Sequence, residues 1–165
     1  MKVAITGHSS GIGKAVYDRV YPCVIGFSRS NGYDITDAAS RKRMIQESIT
    51  CDIFINNAHN GFSQIDMLVE VFTEWKNLPK TIINIGSRAA DNLLTEKNQH
   101  LLHYMSQKRA LKSIIPLLQG YNCKVEYRSF GYVNTPRILA KYPHFTPDKY
   151  ITISEAVDII LDGVI

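Results

Sequence analysis

The chain has 165 residues, a length that one hydrophobic core can organise, so a single domain is expected. Apolar residues make up 45% and charged residues 21%, a balance that excludes disordered and fibrous classes. The formal net charge is +4. The one basic block, Arg41-Lys42-Arg43, falls on a predicted helix and reads as a solvated face, so no nucleic-acid partner is expected.

Lys2–Thr6 is a short apolar run entering a glycine turn, and Gly11–Val20 has helical character. Cys23–Ser28 is a second strand, and Tyr33–Ile35 a very short third. Asp37 can cap a helix over Ala38–Ser48, because its carboxylate can accept first-turn amide hydrogens. Asp52–Asn56 is the next strand. Ile65, Leu68, Val69, Phe72 and Trp75 recur at helical spacing in Phe62–Lys76. Thr81–Ile85 is a strand, followed by a long helix over Gln99–Gln119, kinked near Pro116 and stopped by Gly120. Lys124–Phe130 is the last strand, and Ser154 is placed to cap a closing helix from Glu155 to about Leu161.

Strands alternating with helices predict βαβ crossovers and a doubly wound parallel sheet with helices on both faces. The expected architecture is a Rossmann-type α/β domain with strand order 3-2-1-4-5-6. Cys23, Cys51 and Cys123 lie far apart without metal-ligand spacing, which predicts buried, reduced thiols and no metal. The first residues enter a strand directly, and no apolar run approaches the ~20 residues that span a bilayer. A cytoplasmic location without membrane association is therefore expected.

The first strand ends in Thr6-Gly7-His8-Ser9-Ser10-Gly11-Ile12-Gly13 and passes into a helix. Glycines there permit the tight turn, the approach of a pyrophosphate to the backbone, and close helix–strand packing. The helix N-terminus offers unpaired amide hydrogens to phosphates. Three residues separate Gly7 from Gly11, giving T-G-x-x-x-G-I-G. In this form the turn resembles that of the short-chain dehydrogenase/reductases. The second strand ends Gly26-Phe27-Ser28-Arg29, where an acidic residue would favour NAD. Ser28 and Arg29 favour the additional phosphate of NADP(H), the alternative being a solvated loop arginine. Asp34-Ile35 resembles the family's aspartate–hydrophobe pair beside the adenine, and Asp34 reads equally as a turn residue.

Tyr104 and Lys108 stand at i and i+4 on one helix, so they share a face. They follow a strand ending Asn84-Ile85-Gly86-Ser87, and Asn-x-x-Ser followed by Tyr-x-x-x-Lys resembles the family's active-site signature. Hydride transfer to a carbonyl leaves an alkoxide that a tyrosine can protonate, and a neighbouring ammonium favours the phenolate that remains. The resemblance also implies that Lys108 contacts the nicotinamide ribose. It makes Ser87 the group that polarises the substrate oxygen. The fourth family member is an asparagine; Asn60 fits best, and it fits equally as a helix cap.

Asn56-Asn57-Ala58-His59 resembles the family's N-N-A-G, so Asn57 and Ala58 are expected beneath the cofactor. His59 replaces the glycine and reads as a loop histidine. Phe130-Gly131-Tyr132-Val133-Asn134-Thr135-Pro136 resembles P-G-x-V-x-T-P, which assigns Val133 and Thr135 to the nicotinamide carboxamide.

Only Ser30, Asn31 and Gly32 join the second expected strand to the third, so a crossover helix is missing. Between Arg137 and about Ile153, Tyr142, His144, Phe145 and Tyr150 either line a substrate pocket or pack the loop down. The resemblance implies an NADP(H)-dependent oxidoreductase acting on a small carbonyl or alcohol, assembled as a homodimer or homotetramer through Phe62–Lys76 and Gln99–Gln119. Two alternatives stay open. One is a non-catalytic NAD(P)-binding redox sensor, and the other an epimerase or dehydratase that retains its cofactor.

Overall fold

The computed structural model describes residues 1–144, 146 and 150–164. Its sheet has five parallel strands: β1 (Val3–Thr6), β2 (Val24–Phe27), β3 (Ile53–Asn56), β4 (Thr81–Ile85) and β5 (Lys124–Arg128). Their spatial order is β2-β1-β3-β4-β5. Register runs Ile5↔Gly26, Ile5↔Ile55, Ile55↔Ile83 and Ile83↔Glu126 across the sheet. Every residue of β1 and β3 is buried, as expected for central strands covered on both faces.

One face carries α2 (Ala38–Glu47), α3 (Ser63–Trp75) and α4 (Leu102–Ile114). There Ala4, Phe54 and Ile82 pack against Met67, Leu68, Val71, Trp75 and Leu111. The other face carries α1 (Gly11–Val20) and α6 (Ile153–Leu161). Val3, Ile5, Ile55 and Ile83 meet Val16, Val157 and Ile160 on that side. The period-two alternation of strand side chains thus supplies two cores from one sheet.

Tyr33–Ile35 is not a strand, which removes the outermost member of the expected order. After β2, Asn31 Oδ1 accepts from the Ser28 amide at 2.8 Å and Asn31 Nδ2 donates to Gly26 O at 2.8 Å. Gly32 then takes φ +86° and reverses the chain. Tyr33 returns its amide to Ser28 O at 2.9 Å, and its ring packs edge-on against Phe27. The Asp34 carboxylate accepts from the amide and hydroxyl of Thr36, which lower its pKa, with a smaller contribution from Arg29. These local bonds tie the segment into turns and leave no extended run to pair with β2.

Three other expectations change. Arg41 is buried rather than solvated: it pairs with Glu70 at 2.8 Å and donates to Ile35 O at 2.9 Å. The closing helix starts earlier, because Thr152 rather than Ser154 forms a reciprocal cap with Glu155. Cys51 and Cys123 are buried free thiols, with burial pushing Cys123 up to about 11, but Cys23 is exposed. Asp37 caps α2 through Ala39 and Ser40 as expected. A 3-10 turn over Ile115–Leu118 follows α4, at the expected proline kink.

Beyond β5, β6 (Tyr132–Val133) pairs in parallel with β7 (Tyr150–Ile151), and α5 (Pro136–Lys141) lies between them. Tyr132 makes ring contacts with both Tyr142 and Tyr150, and the Tyr150 hydroxyl donates to Tyr142 O at 2.9 Å. These aromatic residues pack the loop down. Phe145 lies outside the described residues. Among the described residues, no helix is long and apolar enough to cross a membrane, and no group of His, Cys, Asp and Glu is arranged to hold a metal.

Candidate active site

The carboxyl ends of β1, β2 and β3 open into a cavity of about 1250 Å³. Gly7 and Gly11, with φ of +74° and +55°, form the turn that lets α1 start beside β1. A Cβ on Gly13 would lie 2.1 Å from Gly7 O, so that position admits no side chain. Ser10 N-caps α1 without a side-chain bond, and the first-turn amides therefore have no cap from it. Gly7, Ser9, Ser10, Gly11, Ile12 and Gly13 line one wall of the cavity. Ser28, Arg29, Asp34 and Ile35 line another, with Asn57, Ala58, His59, Asn60 and Thr135 beyond.

Thr6 is completely buried and does not line the cavity. Its hydroxyl instead accepts from the amides of Asn57 and Ala58 at 3.0 and 2.9 Å, fixing the end of β3 against β1. Val133 is likewise buried behind the wall, whereas Thr135 reaches it.

A second polar group occupies the ends of β3 and β4, outside the residues that line the cavity. Lys108 is buried on α4, and its Nζ donates to Gln64 Oε1 at 2.7 Å and to Ile85 O at 3.1 Å. Burial pushes the ammonium down to about 8. Its nitrogen lies 5.8 Å from the centre of the Tyr104 ring. His59 meets Tyr104 edge-to-face at 5.2 Å. Desolvation, and then the Lys108 charge, push the His59 imidazole down to about 4, so the ring is neutral near pH 7.

Ser87 follows β4 and opens a short 3-10 turn, its Oγ accepting from the Ala89 amide at 3.2 Å. That bond leaves the hydroxyl hydrogen for another acceptor. The Ser87 amide donates to the Tyr127 hydroxyl at 3.2 Å. A Cβ on Gly86 would fall 2.0 Å from the Tyr127 ring, so glycine there makes room for the support. Arg109 ties α4 to the same turn through Ala90 O and Asn92 O, at 3.0 and 2.7 Å.

No family model and no curated protein matches this sequence. Solved structures do match. A short chain dehydrogenase from Burkholderia cenocepacia J2315 in complex with NADP superposes with a TM-score of 0.80 at 19% identity, over 98% of this chain and 84% of that one. The 3-alpha-hydroxysteroid dehydrogenase from Pseudomonas sp. B-0831 complexed with NADH gives 0.74 at 18% identity, over 97% and 88%. A short-chain dehydrogenase/reductase from Serratia marcescens BCRC 10948 gives 0.72 at 17% identity, over 96% and 88%. The fold is that of the short-chain dehydrogenase/reductases.

On that short-chain dehydrogenase/reductase fold, the glycine turn, Ser87 and the Tyr104–Lys108 pair all fall along the carboxyl edge of the sheet. Asn60 does not take the place beside Lys108. It lies exposed at the cavity wall, its backbone oxygen accepting from the Ser63 amide at 3.1 Å, and α3 has no side-chain cap at its first residue. Gln64 reaches the lysine instead, a residue that motif matching passes over. Its signal in the sequence is its phase: Gln64 shares the helical stripe of Met67, Leu68, Val71 and Trp75, all buried. A polar residue on an apolar stripe needs a buried partner.

Proposed function

We propose that the chain is an NADP(H)-dependent member of the short-chain dehydrogenase/reductase family, acting on a small carbonyl or alcohol. The observation that carries this reading is the buried Lys108 ammonium beneath Tyr104, at the edge where the glycine turn offers a nucleotide cradle. The cradle fits a dinucleotide: Gly13 leaves no room for a Cβ, and the first turn of α1 has no side-chain cap. Gly7, Ser9, Ser10, Gly11 and Ile12 would hold the pyrophosphate, Asp34 and Ile35 the adenine, and Asn57, Ala58 and Thr135 the nicotinamide side. Ser28 and Arg29 at the end of β2 favour NADP(H) over NAD(H).

The nicotinamide supplies or accepts the hydride when bound. In this reading Ser87 donates its hydroxyl hydrogen to the substrate oxygen, and Tyr104 delivers the proton that the resulting alkoxide takes up. Lys108 holds positive charge beside the phenol and favours the phenolate left after transfer. Exposed Val69 on α3, Leu102 on α4 and Leu117 just beyond it support self-association through these two helices. A cytoplasmic setting goes with the same reading.

The test is NADPH oxidation against a panel of ketones and aldehydes, with Tyr104→Phe as the decisive variant. Turnover should fall by roughly 10²–10⁴-fold, the ordinary worth of a general acid, while NADPH still binds. The sensor alternative has one observation in its favour: Ser87, Tyr104 and Lys108 do not line the cavity, and His59 stands between it and Tyr104. Tight NADPH binding with no carbonyl turned over would establish the sensor.

A further inference from the structure

We propose that Gln64 is the positioning residue for Lys108, its carboxamide clamping the ammonium to the ends of β3 and β4 in the place where a motif reading puts an asparagine. The catalytic consequence rests on the oxidoreductase reading above; the clamp itself does not.

The Gln64 side chain, 2% exposed, is bonded through both ends of its carboxamide. Nε2 donates to Asn56 O at 2.8 Å and to Ile85 O at 3.0 Å, while Oε1 accepts from Lys108 Nζ at 2.7 Å. Only one orientation of the amide satisfies these contacts. Reversed, it would set an NH₂ against an ammonium and an oxygen against two carbonyls. Asn56 locks the residue further by donating from Nδ2 to Gln64 O at 2.8 Å and to Asn84 Oδ1 at 3.0 Å. The carboxamide is thus fixed by two strands before it meets the lysine.

Lys108 has three N–H donors, and the bonds to Gln64 and Ile85 use two of them. The third is used by neither bond. The titratable groups facing the ammonium are His59, from the loop before α3, and Tyr104, one turn earlier on α4. Among the described residues no carboxylate lies within ion-pairing distance of it. Its charged form is therefore held by two neutral oxygens, one of which belongs to Gln64.

This makes opposite predictions for two substitutions. Gln64→Met removes the acceptor at similar volume, so the Lys108 midpoint should fall by about one unit, a tenfold change in its proton equilibrium. Gln64→Glu sets a carboxylate against the ammonium, so the midpoint should rise by at least as much. The experiment is an NMR titration of protein labelled with ¹³Cε-lysine, Lys108 being assigned by its loss in Lys108→Arg. It is paired with pH profiles of kcat and KM for a carbonyl that the parent protein reduces.

Gln64→Met should lower kcat by roughly tenfold to a hundredfold, with KM for the carbonyl within about twofold, as for an interaction that matters only in the transition state. Midpoints within about 0.3 unit of the parent in both variants would overturn the clamp. An unchanged kcat in Gln64→Met, with the midpoint shifted, would overturn its catalytic role. If the midpoints move in opposite directions but the parent reduces no carbonyl, the clamp stands and the oxidoreductase reading fails. If Gln64→Met does not fold, the rise in Gln64→Glu decides the question alone.

Discussion

At β1 the carboxyl edge of the sheet is shaped by backbone, whereas at β3 and β4 the same edge is built from buried side chains. The glycine turn owes its form to positive φ at Gly7 and Gly11 and to the missing Cβ of Gly13, with Thr6 and Asn57 tying it down. The Lys108 site depends on Gln64, Asn56 and Asn84, whose amides each satisfy a neighbour. Backbone shape leaves a local signature of glycines at fixed spacing. A side-chain network leaves no such spacing, because its members come from four separate elements and meet only in the fold. The two constructions should also fail differently.

The largest effect is expected at Gly13. In Gly13→Ala the new Cβ would lie 2.1 Å from Gly7 O and 2.6 Å from Asn57 Nδ2. Neither can retreat easily, since Gly7 N is bonded to Phe27 O at 2.7 Å and Asn57 Nδ2 to Thr6 O at 2.9 Å. Overpacking against a fixed backbone should cost ~3 kcal/mol or more. Calorimetry should then show Tm lower by roughly 10 °C. NADPH affinity, followed by fluorescence, should fall by about tenfold or more, because the phosphate-facing turn must open. An alanine tolerated with full affinity would show that the backbone of the turn is not fixed against Gly13.

The side-chain half is tested by pH. The folded pKa of Lys108 is depressed to about 8 from an unfolded value of 10.5. Between those values the unfolded chain binds the extra proton, so stability rises with pH across that window. The upper limit for the gain is about 3 kcal/mol. Urea unfolding from pH 7.5 to 10, compared between the parent and Lys108→Met, isolates this term from other titrations. A constant difference between the two proteins across the window would show that Lys108 is not desolvated as described.

Gly86 offers a sharper contrast with Gly13, because its clash partner is a side chain. Gly86→Ala would place Cβ 2.0 Å from Tyr127 Cζ, and the cost should be about 2 kcal/mol. Tyr127→Ala should relieve it. A double-mutant cycle should show coupling of at least about 1 kcal/mol. Additive losses would place the strain in the backbone after all.

The same division explains how much could be read from the sequence. The βαβ alternation, the glycine turn and the Tyr104–Lys108 spacing are local patterns, and each occurs where the sequence places it. The expected third strand at Tyr33 fails because apolar character alone cannot compete with Asn31, Gly32 and Asp34, each making local bonds or turns. Arg41 reads as solvated because its partner, Glu70, lies on another helix. Gln64 belongs to no motif, and only its phase on α3, among Met67, Leu68, Val71 and Trp75, singles it out. Asn60 draws attention instead by its residue type, which specifies no contact with Lys108.

The Arg41–Glu70 pair, where Glu70→Gln gives the smallest of these effects, joins the two regions, since Arg41 anchors α2 to α3 beneath the nucleotide wall. Its guanidinium is largely buried and receives two supports: Glu70, whose side chain is 36% exposed, and Ile35 O at 2.9 Å. Hydrogen bonding to Glu70 raises the guanidinium pKa, so the group stays charged throughout the working pH range. Because Glu70 is partly solvated, Glu70→Gln should cost only about 1 kcal/mol by urea unfolding and leave NADPH affinity unchanged. Arg41→Met should cost about 2 kcal/mol, since it also strips the donor from the Ile35 carbonyl. It should weaken NADPH binding several-fold, because Asp34 and Ile35 line the cavity and lose their support from below. Equal affinity losses in the two variants would show that the ion pair, and not the bond to the backbone, shapes the nucleotide wall.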